Sequence, residues 1–290
     1  MKPAAFDYHA PTTLDEALAL LAAYGDEAKI LAGGQSLIPA MNFRLAQPAI
    51  LVDINPVTTL VGIHAEGDGG LRIGTMTRQR TVEHSDLVAA RAPLLAETMP
   101  HIAHPQIRNR GTFGGSLAHA DPASELPAVA VALGMTLRAQ STRGERDIDA
   151  TDFFQGLFAT ALEPDEMLIE VLIPALPART GTAFAEVARR HGDYAMAGAA
   201  AVVTLAEDGT IAACKLVYLS IGDAPVESHS AASALLGVIP TDEAIRAAAE
   251  AMEQDIDPLG DIHATAAYRR HLAKVLARRT LASAVARARN

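Results

Sequence analysis

Two Gly-Gly pairs constrain this chain more than any other feature of its sequence. They lie in KILAGGQSL (29–37) and GTFGGSL (111–117), and a serine follows each pair within two positions. Glycine pairs are costly inside a helix or strand, because glycine loses backbone entropy on folding and packs no side chain. The sequence therefore predicts two loops at which the backbone closely approaches another group.

The first pair permits three interpretations. The simplest is a tight turn between a strand and a helix. A dinucleotide-binding Rossmann turn is favoured by Asp53, which follows Gly33 by twenty residues, but G-x-G-x-x-G is absent and Pro39 interrupts the expected helix. A Walker loop is excluded because no Gly-Lys-Ser/Thr follows. The third interpretation is a nest of backbone N–H groups at residues 33–36 that binds phosphate, and the second pair offers the same kind of donors.

Composition excludes several classes of protein. A net charge of −10 and a pI near 5.4 argue against nucleic-acid binding, which needs a basic surface. The first residues lack the pattern of a signal peptide and no run of eighteen apolar residues occurs, so we expect a cytoplasmic protein without an integral membrane segment. The one cysteine, Cys214, is expected to be a buried strand thiol, and it cannot supply four ligands to an iron–sulfur cluster.

The pattern of apolar residues and turns predicts an α+β fold. An amino-terminal domain should end near residue 177, at a linker over 174–181, and a smaller domain of one sheet plus helices should follow. The predicted elements are a helix over 14–24 with a Thr13/Glu16 capping box, strands at 28–31 and 49–54, a hairpin over 59–76, helices over 81–99 with Pro93 starting the second, an irregular segment over 100–127, a helix over 128–134, strands at 135–140 and 166–174, three strands within 182–221, and a helical tail over 229–290.

Several polar residues invite a functional interpretation. His119, Asp121 and Glu125 form H-x-D-x-x-x-E near two more histidines, but this spacing matches no standard ligand set, so we expect no metal site. Arg108 and Arg110 are interpreted as a solvated pair, with contact to a neighbouring subunit or to phosphate as the alternative. We expect no catalytic residue on this chain.

Taken together, AGGQSL and QIRNRGTFGGSLAHADPASELP resemble a known family. They are similar to the FAD-binding medium subunit of the molybdenum hydroxylases, the group that includes carbon monoxide dehydrogenase and xanthine dehydrogenase. The resemblance extends to FDYHAPTTLDEAL near the start, ARRHGDYAMAG in the middle and YRRHLAKVLARR near the end. It therefore covers nearly the whole chain.

The resemblance implies FAD as cofactor and a p-cresol methylhydroxylase-type FAD-binding fold. Two α+β subdomains (1–57 and 58–177) would hold FAD between them, and a smaller α/β carboxy-terminal domain (178–290) with a three-stranded sheet plus helices would follow. The implied cofactor-binding residues are Lys29, Leu31, Ala32, Gly33, Gly34, Gln35, Ser36 and Leu37 in the first segment, Gly111, Thr112, Gly114, Gly115 and Ser116 in the second, and Ile102, Ala103, Asp121, Glu125, Leu168 and Tyr194 elsewhere. Leu168 and Tyr194 would lie by the isoalloxazine ring.

The resemblance also implies partners. A small subunit would carry two [2Fe–2S] clusters, and a large subunit would carry the molybdopterin. The three subunits would form a dimer of heterotrimers. This chain would pass electrons from the clusters to an external acceptor. Two alternatives stay open: a self-sufficient FAD-dependent reductase of the same fold, and a non-catalytic nucleotide-binding module.

Overall fold

The computed structural model describes residues 2–290, and its amino-terminal part is a small parallel sheet with helices. Its elements are β1 (Asp7–His9), α1 (Leu14–Tyr24), β2 (Ala28–Leu31), α2 (Leu37–Asn42) and β3 (Ile50–Asp53). The sheet order is β1-β3-β2. Thr13 and Glu16 form the capping box of α1, as predicted. Leu18 and Leu21 pack this helix on Val52 of the central strand.

The second part is built on a five-stranded antiparallel sheet of order β4-β5-β10-β6-β7. Its elements are β4 (Ile63–Ala65), β5 (Leu71–Gly74), α3 (Gln79–Glu83), α4 (Asp86–Arg91), α5 (Pro93–Thr98), α6 (Pro105–Arg108), α7 (Phe113–His119), α8 (Glu125–Leu133), β6 (Thr136–Ser141), β7 (Gly144–Asp149), α9 (Ala150–Phe153), β8 (Phe154–Gly156), β9 (Ala159–Thr160) and β10 (Met167–Ile173). The predicted hairpin is β4–β5, and Pro93 begins a helix as expected. Every residue of α8 is buried, because this helix lies between two parts of the molecule.

The third part is an antiparallel sheet of order β11-β12-β13-β14 with helices. Its elements are β11 (Thr180–Ala188), β12 (Ala195–Leu205), β13 (Ile211–Leu219), β14 (Val226–Glu227), α10 (His229–Leu235), α11 (Asp242–Ala251) and α12 (Ala266–Ala288). Helix α12 covers one face of this sheet, whereas α5 and α8 pack on the other. Side chains of β12 alternate accordingly: Ala199 and Ala201 join the α12 core, and Ala200 joins the core of the second part.

Three predictions about the elements were wrong. The third sheet has four strands rather than three, because the chain returns after β13 and Val226 pairs with Tyr218. Two residues are too few to give a strand pattern in the sequence. The segment 100–127 is not irregular, since it contains α6, α7 and the start of α8. The region 81–99 contains three helices, with Ser85 capping the middle one.

Arg108 contradicts the prediction of a solvated pair. Its guanidinium group is buried and forms two hydrogen bonds, of 2.8 and 2.9 Å, with the carboxylate of Glu83. It also donates to the backbone carbonyls of Ile102 and Ala103, at 2.7 and 3.2 Å. Arg108 therefore fixes the chain between α5 and α6.

Two further sequence features have a structural explanation. Cys214 lies half-buried on β13, and burial raises the pKa of its thiol to about 12, so the thiol stays protonated. The apolar stripe of the tail packs inside the third part through Leu272, Leu276 and Leu281. Within residues 2–290, no helix combines the length and the apolar character needed to cross a membrane.

Candidate functional site

The two glycine segments, far apart in sequence, touch each other in the structure. A Cβ added to Gly33 would lie 2.5 Å from the carbonyl oxygen of Arg110 and 2.8 Å from the Cα of Gly111. A Cβ added to Gly115 would lie 3.4 Å from the Cβ of Ala32. Only glycine permits this approach, because any side chain at position 33 would push the two backbones apart.

The first segment has free backbone donors. Within residues 2–290, no hydrogen-bond acceptor meets the N–H groups of Gly33, Gly34, Gln35 and Ser36. The side-chain amide of Gln35 donates instead to the carbonyl of Gly33, at 3.0 Å, and Gly34 has a positive φ of 74°. Successive free N–H groups around a residue in this conformation form the concave donor set that binds anions. This geometry favours the phosphate nest over a plain turn.

The second segment differs, and the expectation that it offers the same kind of donors is wrong. Gly114 and Gly115 lie in the first turn of α7, and Thr112 caps that helix. Protein acceptors already pair the amides of this turn: Phe113 N with Thr77 O (2.9 Å), Gly114 N with Thr75 O (2.9 Å), Gly115 N with Thr112 Oγ1 (3.1 Å) and Ser116 N with Thr112 O (3.3 Å). A Cβ on Gly114 would overlap the side chain of Thr75, so this glycine serves helix packing.

A pocket of about 360 Å³ opens over the first segment. Its lining comprises Leu31, Ala32, Gly33, Gly34, Gln35, Ile38, Pro39, Asp53, Asn55 and Arg110. Arg110 is exposed. The pKa of the neighbouring Arg78 lies below its ordinary value, first because Arg78 is partly buried and second because the positive charge of Arg110 is nearby. Arg110 lines the pocket beside the free amides of residues 33–36, and Arg78 lies behind it, bonded to Asn55, so this part of the pocket suits an anion, although Asp53 also lines the pocket.

Side chains below the pocket hold its floor in place. Asn55 donates to the carbonyl of Ala32 at 2.8 Å, and Arg78 donates to Asn55 Oδ1 at 2.6 Å and to the carbonyl of Arg110. Asp53 accepts hydrogen bonds from Tyr8 and Asn55, and these hold its pKa below the ordinary value although burial opposes them. These bonds give Asp53 a structural role and weaken the Rossmann interpretation further.

A second group of predicted residues meets where the second and third parts pack together. Ala103 has a positive φ of 45°, and a Cβ on Gly192 would lie 2.9 Å from its carbonyl oxygen. The connection from β11 to β12, which carries Gly192 and Tyr194, therefore packs against the chain at Ala103 and His104. Asp121 lies within reach of the Tyr194 hydroxyl.

Tyr194 and Glu125 carry the strongest electrostatic perturbations of this second group. The ring of Tyr194 is 63% exposed, yet burial of its hydroxyl group and the nearby Asp121 raise its pKa to about 12. Burial of Glu125, together with the charge of Glu186, raises the pKa of Glu125 to about 8. An exposed aromatic face next to buried polar groups suits a ligand that has both a flat ring and hydroxyl groups.

Helix α7 connects the two groups of residues. It has seven residues and starts at the glycine contact, so at 1.5 Å per residue it spans about 10 Å before Asp121. Three predicted residues belong neither to the pocket lining nor to the group around Tyr194, and lie away from the contact between the glycine segments. Lys29 is exposed on β2, Leu37 begins α2, and Leu168 is buried in the core, 4% exposed, so their contacts with a cofactor stay predictions.

Comparison with known proteins decides the family. A family model described as "FAD binding domain in molybdopterin dehydrogenase" matches residues 4–176, and one described as "CO dehydrogenase flavoprotein C-terminal domain" matches residues 182–284. The chain belongs to the FAD-binding medium subunits of the molybdenum hydroxylases. This flavoprotein subunit is a component of an oxidoreductase, and its cofactor is FAD.

Individual relatives agree with that assignment over the full length of this medium subunit. Subunit alpha of the 6-hydroxypseudooxynicotine dehydrogenase complex of Paenarthrobacter nicotinovorans is 44% identical, covering 100% of this chain and 97% of its own length. The structure of carbon monoxide dehydrogenase from Hydrogenophaga pseudoflava matches with a TM-score of 0.95 and 40% identity, covering 99% of both chains. Quinoline 2-oxidoreductase from Pseudomonas putida 86 matches with a TM-score of 0.94, 37% identity and full coverage of both chains. The predicted family, the mixed α and β fold and the cofactor are thereby confirmed.

The residues present fit this cofactor. The free amides of residues 33–36 and Arg110 suit its diphosphate, and the group around Tyr194 suits its flavin end. Sequence reasoning missed Arg78, Asn55, Ile38 and Pro39. Of these, only Asn55 had a signal in the sequence: it lies two residues after the end of β3, and the end of a strand lies at the sheet edge where the glycine turn also lies.

Proposed function

We propose that this chain carries electrons from the iron–sulfur clusters of a partner subunit to an external acceptor, through FAD bound along α7. FAD supplies the redox chemistry, since its ring takes up and gives off electrons. The observation that supports the proposal is the contact between Gly33 and Gly111. Because of this contact, the pocket with free amides lies at the start of α7, and Asp121, which follows the end of α7, lies near the exposed Tyr194.

The chain's own residues bind and orient the cofactor. The amides of Gly33 to Ser36 donate to the diphosphate, and each hydrogen bond to a charged group contributes about 1.5–3 kcal/mol. Gly115 and Ser116 are half-buried in the first turn of α7 and would lie beside the cofactor, whereas Gly111 and Thr112 are buried and would support this turn from below. Ile102, Ala103 and Tyr194 border the flavin end, where the exposed ring of Tyr194 leaves one side open to an acceptor.

The composition supports the need for partners. A single cysteine cannot ligate two [2Fe–2S] clusters, so these belong to another chain. The matched relatives are named as subunits or medium chains of larger enzymes. We therefore propose a small iron–sulfur subunit and a large molybdopterin subunit as partners, in a dimer of heterotrimers. The division of this chain at residues 57 and 177 is part of the same proposal.

Purification of the chain alone tests this function. We expect about one FAD per chain after reconstitution, reduction of the bound flavin by dithionite, and no sustained turnover of organic substrates until cluster-bearing and molybdopterin subunits are added. Failure of the folded chain to take up FAD would contradict the proposal. Steady turnover by the isolated chain would favour the self-sufficient reductase instead, and nucleotide binding without flavin reduction would favour the non-catalytic module.

A further inference from the structure

Two side-chain amides hold the backbone carbonyls beside the first glycine pair. The carboxamide of Asn55 donates to the carbonyl of Ala32 at 2.8 Å, and the carboxamide of Gln35 donates to the carbonyl of Gly33 at 3.0 Å. The N–H groups that follow these carbonyls in the chain, those of Gly33 and Gly34, have no acceptor within residues 2–290. Both carbonyls are therefore paired, and both N–H groups are free for a ligand.

A bond to a carbonyl also fixes the N–H group that follows it, because the two belong to one rigid peptide unit. The unit is planar and trans, so its C=O and N–H point in opposite directions. The bond from Asn55 to Ala32 thereby sets the direction of the Gly33 N–H. The bond from Gln35 to Gly33 likewise sets the direction of the Gly34 N–H.

The unit between Gly33 and Gly34 depends most on such a bond. Glycine has no Cβ and populates positive and negative φ about equally, and Gly34 has a φ of 74°. With glycine on both sides, backbone sterics alone leave this unit free to invert. Inversion would place the carbonyl of Gly33 where the N–H of Gly34 now lies, and a carbonyl oxygen repels an anion. The bond from Gln35 opposes this inversion.

Asn55 is itself held in one orientation. Its Oδ1 accepts a hydrogen bond from Arg78 at 2.6 Å, and its Nδ2 also donates to Asp53 at 2.6 Å. Both polar atoms of the carboxamide are thus engaged, with the donor facing acceptors and the acceptor facing a donor. The other arm of the Arg78 guanidinium group bonds the carbonyl of Arg110. A chain of bonds therefore connects the second glycine segment to the peptide unit that precedes Gly33.

We propose that Gln35 and Asn55 are positioning residues, which aim the N–H groups of Gly34 and Gly33 at the diphosphate by holding the carbonyls behind them. The inference rests on the proposed binding of the FAD diphosphate at residues 33–36. Neither side chain has to touch the ligand for this role. Donors that are oriented before binding lose little conformational freedom on binding, so the complex is tighter.

Gln35→Met tests the first of these roles, because methionine has a similar length but no N–H donor. In a titration of the full-length apo chain, the affinity for FAD should fall about tenfold, which corresponds to the loss of about one hydrogen bond. The matched control is Gln47→Met. Gln47 donates in the same way to the carbonyl of Arg44, at 3.0 Å, but it is exposed and lies outside the pocket. The control should bind FAD with wild-type affinity, and both variants should melt at similar temperatures.

Asn55→Ala tests the second role. It removes the donor to Ala32, so the affinity for FAD should again fall about tenfold. The bonds of Asn55 to Arg78 and Asp53 are lost as well, and chemical denaturation of the apo variant measures that effect separately. Wild-type affinity in both Gln35→Met and Asn55→Ala would overturn the inference while FAD binding stands.

A readout without FAD separates positioning from direct contact with the ligand. In nuclear magnetic resonance spectra of the apo chain with isotope-labelled glycine, the amide signals of Gly33 and Gly34 should be single and sharp. Gln35→Met should broaden or double the Gly34 signal most, whereas Asn55→Ala should affect the Gly33 signal most. Gln47→Met should leave both signals unchanged.

The two readouts together decide between the possible roles. Lower affinity with unchanged glycine signals in both variants would show that these side chains act by touching the ligand, and would overturn the inference. The expected changes in the signals, together with lower affinity, would support it. Failure of the wild-type chain to bind FAD would overturn the proposed function, and the ligand named here with it.

Discussion

The two Gly-Gly pairs have the same composition but different physical roles. Gly33 and Gly34 form a turn whose amides are unpaired and whose backbone contacts the other segment. Gly114 and Gly115 start a helix whose amides bond to protein acceptors, and the missing Cβ of Gly114 lets that helix pack on Thr75. We therefore propose that the first pair binds the diphosphate, whereas the second pair allows α7 to pack closely on Thr75.

This difference teaches that a glycine motif is interpretable only with its hydrogen-bond partners. Glycine always removes a side chain, but whether that exposes donors or permits packing depends on the carbonyls nearby. Here the carbonyls of Thr75 and Thr77 occupy the donors of the second segment. In the part of the chain that the structure describes, no carbonyl accepts a hydrogen bond from the N–H groups of residues 33–36.

The largest effect is expected from Gly33→Ala. The added Cβ would separate the segments and turn several amides away from the diphosphate, so FAD affinity should fall by at least about a hundredfold. Fluorescence titration of the apo chain measures this, with circular dichroism to verify folding. Gly67→Ala is the matched control, since its Cβ would meet no atom within 4 Å. A folded Gly33→Ala variant with wild-type affinity would contradict the role of the first pair.

Gly114→Ala should act on stability. Its Cβ would overlap Thr75 in a well-packed region, and overpacking of this kind costs about 1–3 kcal/mol. Chemical denaturation of the apo chain should report that loss, whereas the affinity of the folded fraction for FAD should change far less than in Gly33→Ala. If unfolding were unaffected and FAD binding abolished, the two glycine pairs would have the same role after all.

Arg110→Gln should have the smallest effect. The side chain is exposed and lines the pocket, so removing its charge should weaken FAD binding about tenfold without lowering the melting temperature. The salt dependence of binding should also decrease, because exposed charges act through solvent. Arg278→Gln on α12 is the control and should leave both quantities unchanged. If the Arg110→Gln variant bound FAD with wild-type affinity, Arg110 would not contribute to binding, and the amides of residues 33–36 alone would attract the diphosphate.

The sequence predicted much of this architecture because its signals are local. The capping box at Thr13, the turn between β4 and β5 and the β-type run that forms β12 each depend on neighbouring residues alone. Family resemblance added the cofactor and pointed to both glycine segments. For the first segment the sequence left three interpretations open; the unpaired amides of residues 33–36 favour the donor nest, and phosphate binding there stays a prediction.

The rest depends on contacts between distant residues. Arg108 is buried only because Glu83 lies opposite it, twenty-five residues earlier. The floor of the pocket contains a hydrogen bond between Asn55 and Arg78, and the charge of Glu186 in the third part raises the pKa of Glu125 in the second, after burial. Such pairs have no periodicity or motif, because they are set by how the sheets pack.

A structure of the purified chain with FAD tests the central claim most directly. We predict that the diphosphate lies within hydrogen-bonding distance of the N–H groups of Gly33 to Ser36, that Arg110 faces it, and that the amides of Phe113 to Ser116 keep their protein acceptors. A diphosphate bound instead by the amides of Gly114 and Gly115, or located away from both glycine pairs, would contradict the account.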